Sequence, residues 1–413
     1  MAKPLDILVS GAGVAGPSFA WWAHHFGFNV TVVEKAKALR TGGQDVDFRG
    51  SAHLSVLQRM GVLEEIRRRQ TPGAALAFID ARGRVRAALS AEFTAGEVEI
   101  GRGDLSQVLF DAARAGADFR FGEQVTALAE TGDGIEASFA GGAPARRFDL
   151  VVGADGLHSN IRGLALGDEA AFVRPTGYFL ATFTAPNLLG LERRALVYSA
   201  PGRAVGLHTQ RSDAAARAIF YFAGAEAELA RQPAEVQKAR LAELYAKAGW
   251  ITPRLIEAMW GAMDFYLDAV ATVEAPHWAS GRVVLLGDAG YGGTVGGLGT
   301  GLAVVAAYVL AGELALAEGD HDAAFARYQA RLDAYARRCR KGADGVGPFM
   351  APKTRSGIAM RNAMLNLANR MPGRGLMERI AMGRADDIQL PDYQAMVAAS
   401  RATRRRPTQA RTR

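Results

Sequence analysis

Cysteine is almost absent from this chain of 413 residues: Cys339 stands alone, and one cysteine forms no intrachain disulfide. It sits in Arg337-Arg338-Cys339-Arg340-Lys341, a cationic setting of the kind that lowers a thiol pKa, although an inert thiol is the expectation. No run of eighteen uncharged apolar residues occurs, and the N-terminus enters an apolar stretch almost at once, so the sequence is read as having no membrane span and no signal segment. A soluble, cytoplasmic protein is expected. No close group of His, Cys and carboxylates suggests a metal site, and no internal repeat is evident. Aromatic-interleaved basic motifs are missing as well, which argues against specific nucleic-acid binding. The net charge of +7 does not change that, because six arginines (Arg401, Arg404, Arg405, Arg406, Arg411 and Arg413) fall in the last thirteen residues and leave a body near +1. That terminal stretch is polar, has no apolar periodicity and is expected to be disordered.

What the chain does have is glycine, placed with purpose. Gly11-Ala12-Gly13-Val14-Ala15-Gly16 follows the apolar run Leu5-Asp6-Ile7-Leu8-Val9-Ser10 and precedes a helical stretch from Pro17 to His25. In such a strand–turn–helix, Gly11 permits the tight turn, Gly13 lets backbone approach a pyrophosphate, and Gly16 allows close helix-to-strand packing, with helix N-terminal amides of Val14 and Ala15 facing the anion. The next strand, Asn29-Val30-Thr31-Val32-Val33, ends at Glu34 and Lys35, where a carboxylate accepts ribose hydroxyls. Glu34 favours a free ribose, as in FAD or NAD, over a 2′-phosphate.

Two later segments extend the pattern. Phe148-Asp149-Leu150-Val151-Val152-Gly153-Ala154-Asp155-Gly156-Leu157-His158-Ser159-Asn160-Ile161-Arg162 resembles the D-G signature of FAD-dependent aromatic monooxygenases of the para-hydroxybenzoate hydroxylase type. Arg282-Val283-Val284-Leu285-Leu286-Gly287-Asp288-Ala289-Gly290-Tyr291 is similar to that family's G-D motif, and Ile100-Gly101-Arg102-Gly103-Asp104-Leu105 to its Arg-x-x-Leu segment. The resemblance spans roughly residues 5 to 330. Gly42-Gly43-Gln44-Asp45-Val46-Asp47 and the overall length most resemble the tetracycline-inactivating and polyketide-modifying members.

The resemblance implies FAD held by Gly11, Gly13, Val14, Ala15, Gly16, Glu34, Lys35, Arg102, Asp155, Asp288, Gly299, Thr300 and Gly301, with Asp288 on the ribityl chain and Arg102 reaching the cofactor. It also implies reduction of FAD by NAD(P)H without a second nucleotide-binding fold, reaction with oxygen to a flavin hydroperoxide, and transfer of one oxygen atom to an aromatic or polycyclic substrate. No catalytic triad and no covalent nucleophile are expected. The physical chemistry agrees: an apolar strand ending in Gly-Asp before the helical run Leu302 to Leu314 sets a carboxylate beside helix N-terminal amides, which suits a polyol and an electron-rich ring. The chain departs from the family after Gly-Asp, reading Tyr291-Gly292-Gly293-Thr294-Val295-Gly296-Gly297-Leu298-Gly299-Thr300-Gly301 without the usual proline, and so much glycine suggests a mobile loop.

The fold expected is α/β: a Rossmann-like FAD-binding domain (1–72, 97–164 and 278–330), an inserted mainly β substrate-binding domain (73–96 and 165–277), a C-terminal helical segment (331–400) and a disordered basic tail (401–413). A single helix is expected around Ala52 to Arg69, paired strands within Ala74 to Ala88, and short strands at Gly177 to Thr184, Ala195 to Ser199, Ala204 to Thr209 and Ala216 to Phe222. The helical pattern is read as ending at Leu390-Pro391-Asp392-Tyr393. Arg203 and His208, on the presumed substrate sheet, are candidates for orienting a phenolate or enolate oxygen. The expected assembly is a monomer or homodimer, with a small aromatic or polycyclic substrate and molecular oxygen as partners and no specific nucleic acid. Competing functions are a flavin reductase or dehydrogenase of the geranylgeranyl-reductase kind and a non-catalytic flavoprotein carrier or sensor. The Trp-x-Trp-x-Ile-Pro signature of flavin halogenases is absent.

Overall fold

Uninterrupted apolar runs are what a parallel strand buried on both faces requires, and the chain supplies several. In the computed structural model, which describes residues 4–39, 43–71, 73–90, 96–209, 214–294, 298–341, 343–370 and 388–405, they assemble one six-stranded sheet. Its order is Ala279–Ser280, Val283–Leu285, Leu150–Gly153, Asp6–Ser10, Asn29–Glu34, Asp118–Phe121, all parallel except the first. Ser10 is level with Gly153 and with Val33, and Gly153 with Leu285, so three glycine-bearing segments far apart in the chain leave the sheet at one edge. Ligands of open α/β sheets bind outside that carboxyl edge.

Two helices cover this sheet and touch through Trp22 and Tyr308, whose ring centroids are 4.6 Å apart. They are Ala15–Phe26 and Gly299–Ala317. The second is buried without a break from Gly301 to Leu314. Among the described residues it is long and apolar enough to cross a membrane, but an all-round apolar helix whose apolar window is 78% buried inside the protein is a core helix.

The second large sheet has seven strands in the order Tyr266–Val273, Val173–Pro186, Ala215–Ala223, Arg203–Thr209, Arg194–Ala200, Ala75–Ile79, Val85–Leu89. Pairing is antiparallel except between Arg194–Ala200 and Ala75–Ile79. Side chains alternate across it. Phe179, Phe183, Val205, Leu207, Phe220 and Phe222 point to one face, which the helices Ala234–Tyr245 and Thr252–Trp260 close. Tyr178, Leu180, Val197, Ala204, Tyr221 and Val270 point to the other, with Val346, Met350 and Ala351 packed against it. A small antiparallel pair, Asp45–Phe48 with Val98–Gly101, carries the side chains Asp45 and Asp47.

The structure differs from the sequence reading in three places. The single helix expected at Ala52 to Arg69 is two, Gly50–Arg59 and Leu63–Arg68, because Gly61 between them takes φ of +74°. Pro391-Asp392 begins a helix rather than ending one: Asp392 Oδ1 accepts from Ala395 N, and the helix Tyr393–Arg405 follows. That helix takes in Arg401, Arg404 and Arg405 of the stretch expected to be disordered, and Arg401 donates to Phe26 O at the C-terminus of the first helix, where a cation is favoured. Residues 406–413 lie outside the described residues. Cys339 is buried on the helix His321–Arg340, and burial pushes its thiol up to about 11, so the neighbouring arginines do not activate it.

Candidate functional site

The first turn is built by glycine sterics. Gly11 has φ of +107°, and a Cβ there would lie 2.5 Å from Ala154 O, so the first glycine loop and the Asp155 segment touch backbone to backbone. A Cβ on Gly16 would lie 1.9 Å from Gly11 O. Gly13 is the opposite case, with no atom within 4 Å of where its Cβ would stand. The open side of Gly13 lies before the N-terminus of Ala15–Phe26, whose first residues Val14 and Ala15 are buried. Such a glycine leaves the backbone open to close approach from that side.

Glu34 closes the second strand. Its Oε2 accepts from Ala12 N and its Oε1 from Ala36 N, both at 2.9 Å, which fixes the carboxylate beside the glycine loop and leaves lone pairs for sugar hydroxyls. Lys35 is exposed.

Asp288 stands at the third strand end, in the short turn Gly287–Ala289, between the two covering helices: a Cβ on Gly287 would meet Ala15 Cβ at 3.3 Å and Ala303 Cβ at 3.4 Å. It keeps partial exposure, and burial raises its pKa against the opposing Arg102 charge. Arg102 opens the helix Arg102–Ala113, and its side chain lies against Gly43, where a Cβ would meet Arg102 Cβ at 3.2 Å. Gly299, Thr300 and Gly301 form the first turn of Gly299–Ala317, and a Cβ on Gly301 would run into the ring of buried His53. The glycine-rich connection is not loose where it is described. Val273 N donates to Gly292 O at 2.9 Å and Thr294 N to Ala271 O at 3.0 Å, tying it to the strand Tyr266–Val273. Val295, Gly296 and Gly297 lie outside the described residues, as does Gly42.

Asp155 turns its carboxylate to a helix start, accepting from Ser159 Oγ and, at 3.1 Å, from Ile161 N. Arg162 was not singled out by the sequence reading. It is fully buried and donates to Ala289 O at 2.9 Å and Leu157 O at 2.8 Å, clamping the Gly153–Arg162 segment to the Gly287–Tyr291 segment. Its signal was present in the sequence as an arginine closing the D-G segment. His158 links the same segment to the seven-stranded sheet, its Nδ1 3.1 Å from Glu169 and its Nε2 3.2 Å from Asp268, and these partners raise its pKa.

The two candidates on the seven-stranded sheet separate. His208 pairs with Arg217 across the sheet, on the face turned toward Asp45, and burial with the Arg217 charge lowers its pKa to about 4, so the ring is neutral. Arg203 is displaced from His208 by an odd number of residues and therefore points to the opposite face, with Val205 and Leu207, where it is exposed and its charge acts on Tyr245 of a covering helix. Arg203 thus leaves the candidate site. In its place the structure brings Arg217, 2% exposed and ion-paired to Asp264 at 2.8 Å, and Asp45, whose Oδ2 is 3.9 Å from His208 Nδ1.

An FAD binding domain family matches residues 4–347. An uncharacterized protein of Mycobacterium tuberculosis strain H37Rv is 37% identical over 339 residues, covering 80% of this chain and 91% of that protein. A flavin-dependent monooxygenase of Legionella longbeachae is 35% identical over 340 residues, covering 81% and 87%. The crystal structure of the tetracycline destructase Tet(55) superposes with a TM-score of 0.80 at 32% identity, covering 95% of this chain and all of that one.

Proposed function

The chain belongs to the FAD binding domain family, as a flavin-dependent monooxygenase, and from that membership we propose that it uses NAD(P)H and molecular oxygen to hydroxylate an aromatic or polycyclic small molecule in the cytoplasm. The observation that carries the reading is the convergence of Gly11–Gly16, Ala154–Asp155 and Gly287–Asp288 at one edge of the parallel sheet, beside a second sheet with an apolar face. The open side of Gly13 fits a pyrophosphate, and the partly exposed Asp288 carboxylate fits a polyol.

When bound, FAD would supply the redox chemistry, hydride acceptance from a nicotinamide and electron transfer to oxygen. The chain does the rest. Amides of Gly13, Val14 and Ala15 would receive the phosphates, Glu34 the ribose, and Asp288 the ribityl hydroxyls. Arg102 adds positive charge near Asp288, and the N-terminus of Gly299–Ala317 would favour negative charge on a group held beside it. Leu180, Val197 and Tyr221 pack with Val346, Met350 and Ala351 into an apolar core behind the inner face of the seven-stranded sheet. The name of the tetracycline destructase supports a polycyclic substrate.

The test is anaerobic reduction by NADPH in the presence of phenolic polyketides, followed by oxygen and mass spectrometry. A product heavier by one oxygen atom is expected. NADPH oxidation with no product from any of them would favour a flavoprotein that binds ligand without turnover. Replacing Asp288 with Ala should weaken FAD binding about tenfold to a hundredfold, since a hydrogen bond to a charged group contributes about 1.5–3 kcal/mol. Titration of the apoprotein with FAD checks it, and unchanged affinity would remove Asp288 from the cofactor site.

A further inference from the structure

Three polar groups on three different strands meet where the small Asp45–Phe48 pair faces the seven-stranded sheet: Asp45, His208 and Arg217. Two of them hold unused hydrogen-bonding capacity. Among the described residues Oδ1 of Asp45 is buried with no partner, and so is Nε of Arg217. Native structures rarely leave such atoms unmatched unless a ligand or water completes them. His208 does not neutralise Asp45, because 3.9 Å is too long for a hydrogen bond and the ring is uncharged. The buried acceptor lies beside Gly101 and one residue from Gln44, whose O accepts from Arg102 N, and Arg217 is near enough for its charge to act on Asp45.

We propose that Asp45 is a specificity residue that accepts a hydrogen bond from a hydroxyl of the substrate, with Arg217 Nε donating to an oxygen of the same ligand, so that the enzyme selects phenols and enols over their ethers. The proposal rests on the aromatic-substrate reading above. It is consistent with the electrostatics: burial raises the Asp45 carboxyl to about 6, opposed by the Arg217 charge and reinforced by Asp104, and Glu99 on the paired strand feels the Asp45 charge in turn. A site that binds a hydroxyl through a buried partner rejects the analogue lacking it, because the partner is then left unmatched.

The experiment compares 2-naphthol with 2-methoxynaphthalene as ligands of the FAD-loaded protein, measuring dissociation constants between pH 5 and 8. The wild type should prefer the naphthol by about tenfold to a hundredfold above pH 6 and lose the preference below it, as the carboxyl takes up a proton. Asp45→Ala should bind both alike at every pH. Asp45→Asn, which keeps one acceptor oxygen, should retain part of the preference with no pH dependence, and it carries the test alone where the alanine variant does not fold. Equal binding of both naphthalenes by the wild type, or a preference that survives in Asp45→Ala, overturns the role of Asp45 and leaves the aromatic-substrate reading standing. Failure of both to bind overturns that reading, and this proposal with it.

Discussion

Gly13→Asp should give a folded protein that is colourless. The Cβ of Gly13 has no atom within 4 Å and its backbone is not left-handed, so the fold accepts a side chain there without strain. An aspartate beside a helix N-terminus even stabilises the helix, by about 0.3–1 kcal/mol. The same carboxylate would stand where the pyrophosphate approaches, and like charges forced together cost several kcal/mol. At about 1.4 kcal/mol per decade the expected loss of FAD affinity is a hundredfold or more. The check is the 450 nm absorbance of the purified protein set against its circular dichroism. Gly16→Ala is the contrast, since its Cβ would lie 1.9 Å from Gly11 O: both flavin and fold should suffer. A yellow Gly13→Asp protein of undiminished affinity would place the phosphates elsewhere.

Tyr393→Ala should be the most destabilising change in the C-terminal region. Tyr393 is fully buried, its ring lies 5.2 Å from that of Tyr308, and a Cβ on Gly312 would touch it at 2.2 Å. Its hydroxyl donates to the buried Glu313 at 2.5 Å, and its backbone N donates to Tyr308 Oη at 3.0 Å. Removing a buried aromatic ring costs about 3–5 kcal/mol, which for a chain of this size lowers the melting temperature by on the order of 10 °C. Tyr393→Phe keeps the ring and should fall between the two. Glu313 remains ion-paired to Arg327 and Arg331 in both variants, so the difference between the wild type and Tyr393→Phe reports the hydroxyl, and that between Tyr393→Phe and Tyr393→Ala the ring. A melting temperature unchanged in Tyr393→Ala would show that the helix Tyr393–Arg405 is not bound to Gly299–Ala317 in solution.

The two variants mark how far the residues could be read in advance. Gly11, Gly13 and Gly16 were legible because their task is local: a turn, an approach and a close packing, all set by backbone sterics within six residues of a strand. The short strands from Val173 onward were legible by their apolar alternation. The helix at Tyr393 was misread because Pro-Asp marks a boundary and only the chain beyond it tells an end from a start. Asp155 carries the family pattern, yet its carboxylate oxygens are taken by Ser159 and Ile161, which a pattern does not reveal.

A dinucleotide cradle of the flavin monooxygenase kind could be read from the residues alone, since strand, glycine turn, helix and acidic strand end lie within about thirty residues and constrain each other through bonded geometry. Which side chains the seven-stranded sheet turns toward Asp45 was settled by packing between sheets. Strand order and the alternation of side chains put His208 and Arg217 on the inner face, carried Arg203 to the outer one, and brought Asp45 across from another sheet. Spacing along the chain holds no record of those meetings, because they arise from packing between strands more than a hundred and fifty residues apart, where burial, rather than neighbourhood in the sequence, sets the charge on His208 and Asp45.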